Sequence, residues 1–225
     1  MAQLLYDKQS SEAHLNAVKR HMRLCRQISG GEPYALQIEP YYQTLTEKRQ
    51  ASDQAKFERE AAYDLVVLND SDLDNTLRTL FEKAKQYDRE NPGRPVLTRL
   101  FIDGKLSGII YASLKNEPQL AEQLIARLDA LGEDHPLAEE KAKVQADVDK
   151  CQAALTAYQE TIITHKSVVA LEEIAQADLR RQYEFNYLDI AKEFGKSYAN
   201  RFFPSFRSSP KITPEEDIQE PEITE

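Results

Sequence analysis

The sequence has no tryptophan, and among its 225 residues only seven are glycine and two are cysteine. Two thiols cannot form the disulfide framework that stabilises small secreted domains, so we expect Cys25 and Cys151 to be reduced, buried, small apolar residues. The body of the chain is instead rich in Ala, Leu, Glu, Lys, Gln and Arg. These residues lose least on entering a helix, so the composition predicts an all-α protein.

Long apolar runs and basic blocks are also missing. No stretch approaches the roughly 20 apolar residues of a membrane span, and the first ten residues do not resemble a secretion signal. The sequence therefore predicts no transmembrane segment and a cytoplasmic location. The formal net charge is −9. An acidic chain repels phosphate backbones, so nucleic acid is not expected as a partner.

Glycine and proline mark most of the expected helix ends. The pattern predicts four helices, at about residues 10–29, 40–91, 117–131 and 135–203. Gly30-Gly31 ends the first helix, Pro40 suits the first turn of the second, and Gly132 ends the third. Residues 92–116 form an irregular, packed connector, which fits either short helical turns or a hairpin at Asp103-Gly104.

Two of these helices carry a seven-residue repeat. On the second helix the repeat comprises Leu45, Ser52, Arg59, Val66, Leu73, Leu80 and Tyr87. On the last helix Leu137, Val144, Cys151, Tyr158 and His165 alternate with Lys141, Val148, Leu155, Ile162 and Val169. Such a two-seam heptad is typical of coiled-coil-like packing. We therefore predict an elongated antiparallel helical bundle, in which two long helices pack together and two shorter helices complete the core.

The second helix is uneven along its length. Its C-terminal half shows a continuous apolar stripe, formed by Leu65, Val66, Leu68, Leu73, Leu77, Leu80 and Phe81. Its N-terminal half has Ser52 and Arg59 on the seam, so this half is either exposed or packs through Ala55, Phe57 and Ala62.

The domain organisation follows from where the helical pattern stops. Residues 1–203 are predicted to form a single helical-bundle domain. Residues 204–225 contain four prolines, a net negative charge and few large apolar side chains. Such a segment cannot bury enough surface to offset its ordering entropy, so we predict a disordered acidic tail.

Histidine and cysteine supply the most ligand-like spacing. His21 and Cys25 lie one turn apart on one helix face, and Cys151 lies on the seam of the last helix. Together these three residues are a candidate metal site, and His21 with Cys25 also resembles a nucleophilic pair. The Glu-x-x-His motif of di-iron bundles is absent. A metal-binding protein or enzyme is therefore the alternative hypothesis, whereas the main one expects neither cofactor nor catalytic residue.

An aromatic segment follows, from Arg180 to Phe206. Its helical spacing places Tyr183, Tyr187, Ile190, Phe194 and Tyr198 on one stripe, which we expect to be core. Phe185 and Phe203 project to the opposite side of a continuous helix, and Phe206 lies beyond its end. Either the connector or the first helix covers Phe185 and Phe203, or these rings mark a partner site. With Phe206 they are therefore candidate partner-binding residues.

Long heptad helices without a catalytic constellation favour a function in binding. The main hypothesis is a non-catalytic protein–protein interaction or scaffolding protein, whose partner is another protein or a second copy in a homodimer. A third hypothesis is a component of a larger apparatus, or of a membrane surface, that docks through the aromatic end.

Overall fold

A computed structural model describes residues 4–203, and in this range the chain is helical without strands. The helices are α1 (Ser11–Gln27), α2 (Glu32–Glu90), α3 (Leu97–Leu100), α4 (Ser107–Ile110), α5 (Glu117–Asp129), α6 (Glu140–Phe194) and α7 (Lys196–Ala199). A 3-10 turn, Ile102–Gly104, separates α3 from α4. The predicted all-α class, with two long helices packed together, is confirmed. Residues 204–225, for which a disordered tail is predicted, lie outside the described residues.

The turn between α1 and α2 matches its sequence signals. The Ser10 side chain caps α1 by accepting a hydrogen bond of 3.2 Å from the Ala13 amide. After α1, Gly30 has a φ of 80°, which favours glycine. A Cβ on Gly31 would lie 2.3 Å from the Cys25 carbonyl oxygen, so only glycine fits there.

The second helix begins earlier than its sequence indicates. It starts at Glu32 and includes Pro40 in its interior, where proline is expected to cost about 3 kcal/mol. Packing offsets this cost, because Ala35, Ile38 and Leu45 on either side of Pro40 are completely buried.

The chain divides into two compact units, where the sequence predicts one domain. Unit 1 comprises Met1–Thr46 and Glu173–Glu225, and unit 2 comprises Glu47–Glu172. The helices α2 and α6 contribute to both units, and each unit has its own buried core. The core of unit 1 combines α1, the start of α2, the end of α6 and residues Ala199, Phe202 and Phe203.

In unit 2, α2 and α6 run antiparallel along the predicted seams. Thr76 donates a hydrogen bond of 2.7 Å to Asp147, and Arg59 donates one of 3.2 Å to His165. The seam positions are buried where the C-terminal half of α2 meets the first turns of α6. There Leu73, Leu77 and Leu80 of α2 pack with Val144, Val148 and Cys151 of α6.

Helix α5 and the connector complete the core of unit 2. Leu100, Phe101 and Ile109 of the connector are buried with Leu124 and Leu128 of α5. The Asp88 carboxylate accepts hydrogen bonds of 2.6 and 3.2 Å from the amides of Val96 and Leu97, which fixes the start of the connector. The connector is thus packed and formed of short helical turns rather than a hairpin.

The last helix is shorter than predicted at both ends. It spans Glu140–Phe194 instead of residues 135–203. Its C-terminal end is set by Gly195, which takes φ 85° and ψ 148° and so ends the helix. The short helix α7 follows, and Phe202 and Phe203 then enter the core of unit 1.

Candidate functional site

His21 and Cys25 lie together in the core of unit 1, as their spacing predicts. The Cys25 sulfur is 3.5 Å from His21 Nε2, and both side chains are fully buried. Asn186 of α6 reaches the same ring nitrogen at 3.1 Å and also donates a hydrogen bond of 2.9 Å to the carbonyl of Tyr34. The other ring nitrogen, Nδ1, lies 2.9 Å from the carbonyl oxygen of Phe202.

These contacts define the protonation state of the buried imidazole. Since the Phe202 carbonyl only accepts hydrogen bonds, His21 Nδ1 carries the proton, and Nε2 accepts from the amide of Asn186. Burial lowers the pKa of His21 to about 4. Burial, with a smaller contribution from Glu32, raises the pKa of Cys25 to about 12. The pair is therefore neutral, which is the reverse of the thiolate and imidazolium of an activated nucleophile.

The cluster therefore acts as a polar anchor for the end of the fold. His21 links α1 to Phe202, and Asn186 links α6 to α2 through the carbonyl of Tyr34. Sequence reasoning missed Asn186, because it lies 165 positions from His21 and no local spacing connects them.

The third candidate ligand, Cys151, does not join this pair. It is packed in the core of unit 2, whereas His21 and Cys25 belong to unit 1. Burial and the nearby carboxylate of Asp70 raise the pKa of Cys151 to about 12. In the part of the chain that the structure describes, no group of three or more His, Cys, Asp or Glu residues is placed to hold a metal ion.

The three candidate aromatics have different environments. Phe203 is fully buried, with its ring stacked on His21 at 4.3 Å and perpendicular to Tyr183 at 4.9 Å. The reversal of the chain after Gly195 brings it there, so Phe203 is a core residue and not part of a binding surface. Phe185 is 50% exposed and remains a candidate. Phe206 lies outside the described residues.

The largest departure from the predicted core lies on α2 in unit 2. Phe57, Leu65 and Leu68 are 66%, 48% and 57% exposed. With Ala61, which is also exposed, they share one side of the helix within about 80°, and we refer to these four residues as the α2 face. The sequence predicts Leu65 and Leu68 in the buried stripe, but between Leu45 and Leu73 no residue of α2 belongs to either core cluster.

A group of carboxylates lies on the other side of α2. Glu117, at the start of α5, is 1% exposed and adjoins Asp70 and Asp74. Burial, together with these two acidic neighbours, holds the pKa of Glu117 well above its usual range. At neutral pH the protonated carboxyl group of Glu117 can therefore donate to an aspartate, which attaches the start of α5 to α2.

A cleft between the connector and α5 is one of several concave features of the described chain. Its lining includes Ile102, Ile109, Leu120 and Arg127, and its volume is about 250 Å³. This is below the range of about 300–1,000 Å³ that is usual for small-molecule sites. Arg127 within it is engaged by the carbonyl of Leu100 at 2.9 Å.

The fold and its sites define an all-α helical-bundle protein with buried polar anchors and an exposed apolar helix face. No family model, no curated protein and no solved structure matches the chain. Among residues 4–203, no helix combines the length and the apolar character needed to cross a bilayer.

Proposed function

We propose that this protein is a non-catalytic interaction or scaffolding protein, which binds another protein through the α2 face of unit 2. The observation that supports this proposal is the exposure of Phe57, Leu65 and Leu68 on one side of a heptad helix. Clustered apolar side chains on a long helix are typical of a surface that packs against further helices.

The chemistry of the buried clusters supports a binding function over a catalytic one. The Cys25 thiol is fully buried and its pKa is raised to about 12, so it is held as the unreactive thiol. Both ring nitrogens of His21 already have partners in Phe202 and Asn186, so neither is directed at a substrate.

Photo-crosslinking in the cells that produce the protein tests the proposal. We would replace Leu68 with a benzophenone amino acid and expect a covalent adduct with a protein on illumination. The matched control is the same replacement at Lys166, which is exposed and lies on the opposite side of the α2–α6 pair. The proposal fails if Leu68 gives no adduct, or if Lys166 gives the same adducts with equal yield.

A further inference from the structure

We propose that the cleft between the connector and α5 binds the acidic tail of this protein, residues 212–225, by taking up an isoleucine side chain between two paired carboxylates. The inference does not depend on the proposed function, because the residues that line the cleft are not those of the α2 face. Three observations support it: the apolar lining of the cleft, the cations on its two sides, and a motif that occurs twice in the tail.

The cleft has an apolar lining that is partly open to solvent. Ile102, Ile109 and Leu120 supply the apolar groups, and Ile102 is 65% exposed. Gly108 also lines the cleft, and a Cβ on it would meet nothing within 4 Å. A volume of about 250 Å³ is small for a drug-sized ligand but suits one branched aliphatic side chain. The cleft therefore fits an isoleucine presented by a peptide, and such a side chain would cover Ile102.

The cleft has one cation on each side that can bind a carboxylate. Lys105 comes from the connector and Arg127 from α5. Arg127 donates from Nη1 to the carbonyl of Leu100 at 2.9 Å, which holds the guanidinium in place and leaves its other N–H groups for a ligand. Within residues 4–203, neither cation forms an ion pair with a carboxylate.

The carboxylates of α5 do not neutralise these cations. Leu120, Gln123 and Arg127 lie within about 60° of one another, on the side of α5 that lines the cleft. Glu122 and Asp129 lie about 130–150° around the helix from the middle of this group. Each of them contacts a side chain of α6 at 2.6 Å. The α5 side of the cleft is therefore cationic.

The connector is basic in a chain that is otherwise acidic. Residues 92–116 contain four basic side chains and a single acidic one, Asp103, whereas the whole chain has a net charge of −9. The basic residues are Arg94, Arg99, Lys105 and Lys115. Such a local excess of positive charge attracts an acidic segment before any close contact forms.

The tail supplies the complementary chemistry. Residues 212–225 lie outside the described residues, and their sequence holds six carboxylates and no Lys or Arg. An acid, an isoleucine, an uncharged residue and a glutamate follow one another twice, as DIQE at 217–220 and as EITE at 222–225. Each copy of this motif therefore has an aliphatic side chain between two carboxylates.

Each part of the motif has a counterpart in the cleft. The isoleucine enters the apolar lining, one carboxylate accepts two N–H groups from the Arg127 guanidinium, and the other carboxylate pairs with Lys105. Exposed ion pairs contribute little and are screened by salt, so the isoleucine has to supply the selectivity. We therefore expect a weak complex that dissociates when salt is added.

Fluorescence anisotropy of a labelled synthetic peptide tests the recognition. The peptide comprises residues 212–225 with an amidated end. The protein is the full chain with Ile218→Ser and Ile223→Ser, so that its own tail keeps its charge but not these isoleucines. We expect saturable binding, which weakens at least tenfold when the same two isoleucines of the peptide are serine. No binding, or equal binding of the two peptides, overturns the inference.

Variants of the cleft test where the peptide binds. Gly108→Leu adds an aliphatic group to the open lining, and Lys105→Gln removes an exposed charge. We expect each variant to weaken binding at least fivefold. The matched control is Arg94→Gln, which changes an exposed basic residue of the connector outside the lining and should alter binding by less than twofold. An equal effect of Lys105→Gln and Arg94→Gln would show attraction by charge alone and would overturn the assignment.

Photo-crosslinking in the purified full chain tests the same contact with the natural tail. A benzophenone amino acid replaces Gln123, which is exposed and lines the cleft, and digestion with mass spectrometry locates the adducts. We expect adducts within residues 212–225, with a yield that falls at least fivefold when Ile218→Ser and Ile223→Ser are introduced. The control position is Glu122, which is exposed on the other side of α5. Absence of tail adducts at Gln123, or an equal yield at Glu122, contradicts the proposal.

Discussion

At the scale of single residues, the core of unit 1 depends on polar groups that satisfy one another. His21, Asn186 and the carbonyls of Tyr34 and Phe202 form a connected set inside the apolar core. Each donor in this set has an acceptor, so burial stabilises the neutral imidazole and keeps its position unique. The same contacts make the set sensitive to protonation.

The pH dependence of stability follows from the pKa of His21, which burial lowers from 6.5 to about 4. Between these values the unfolded chain binds more protons, so the free energy of unfolding falls as the pH drops through this window and is fully recovered above about 6.5. The loss due to His21 should reach about 3 kcal/mol at pH 4. Urea denaturation at several pH values measures it.

A non-titrating side chain isolates this contribution from that of the carboxylates. We expect His21→Gln to be less stable than wild type at neutral pH, but with a shallower decline toward pH 4. Parallel curves for the two proteins would show that His21 does not titrate in this window.

Phe203 and Phe185 form a matched pair for testing burial. Phe203 is fully buried against His21 and Tyr183, so Phe203→Ala should cost about 3–5 kcal/mol of unfolding free energy. Phe185 is 50% exposed, so Phe185→Ala should cost no more than about 1 kcal/mol. Chemical denaturation compares the two, and equal losses would contradict the burial of Phe203.

Glu117 should destabilise unit 2 at neutral pH. Its raised pKa means that the folded chain holds a proton that the unfolded chain releases, so stability falls as the pH rises above the ordinary range of glutamate. The side-chain amide of Glu117→Gln can donate a hydrogen bond as the protonated carboxyl group does, but it takes up no proton on folding. We expect it to stabilise the protein by about 1–3 kcal/mol at pH 8, with a gain that shrinks toward pH 4.5.

An exposed glutamate provides the control for this effect. Glu133 is exposed, so Glu133→Gln should change stability by less than about 0.5 kcal/mol at either pH. Destabilisation by Glu117→Gln at pH 8 would show that the carboxyl group is ionised and has a favourable partner.

At the scale of elements, the end of α6 decides the core of unit 1. Gly195 has φ 85° and ψ 148°, a conformation that is essentially restricted to glycine. This break ends a helix of 55 residues and is followed by α7 and the two buried rings of Phe202 and Phe203. A helix that continued to residue 203 would direct these rings elsewhere.

Alanine substitutions at Gly195 and Gly108 separate the effect of backbone conformation from the effect of the space available to a side chain. A Cβ would meet nothing within 4 Å at either Gly195 or Gly108, but only Gly195 has a positive φ. We expect Gly195→Ala to cost about 1–3 kcal/mol in unfolding free energy, whereas Gly108→Ala should be neutral or slightly stabilising. Thermal and urea denaturation would measure both, and equal effects would argue against strain at Gly195.

At the scale of the whole molecule, packing is unevenly distributed along the two long helices. In unit 2 the core cluster begins at Leu73 of α2 and ends at Cys151 of α6. From residue 47 to residue 72, only Ser52, Ala55 and Val66 of α2 are buried. This stretch therefore has little apolar burial of its own, and it carries the α2 face.

Hydrogen exchange should reveal this difference. At low protein concentration we expect the amides of residues 56–64 to exchange faster than those of residues 73–84, because local opening there exposes few buried side chains. Equal protection of both stretches at low concentration would contradict this picture.

Much of the secondary structure could be predicted because its signals are local. The heptad positions from Leu45 to Leu80 and from Leu137 to Val169 correctly identify the sides on which α2 and α6 meet. Gly30 and Gly31 correctly mark the end of α1. The predicted start of α2, at about residue 40, was wrong, because packing that local spacing does not show outweighs the cost of Pro40.

The candidate sites were only partly predictable. Spacing identified the pair of His21 and Cys25, because one helical turn is a local relation. Spacing could not identify Asn186, which contacts His21 from another helix. It also grouped Cys151 with the pair, although Cys151 lies in the core of unit 2. It also left open whether Phe203 is covered or forms part of a partner site, because a helix that continues through Gly195 places this ring away from the aromatic stripe.

By itself the sequence determined the helical class and the inner sides of the two long helices, because helix propensity and heptad spacing act between residues a few positions apart. Only the tertiary structure decided that Phe203 is core, that His21 is neutral and anchored, and that the α2 face is open. These outcomes depend on which distant segments cover a side chain. In particular, α5 packs against the side of α2 that carries Asp70, so Leu65 and Leu68 have no such cover even though they lie in an apolar stripe.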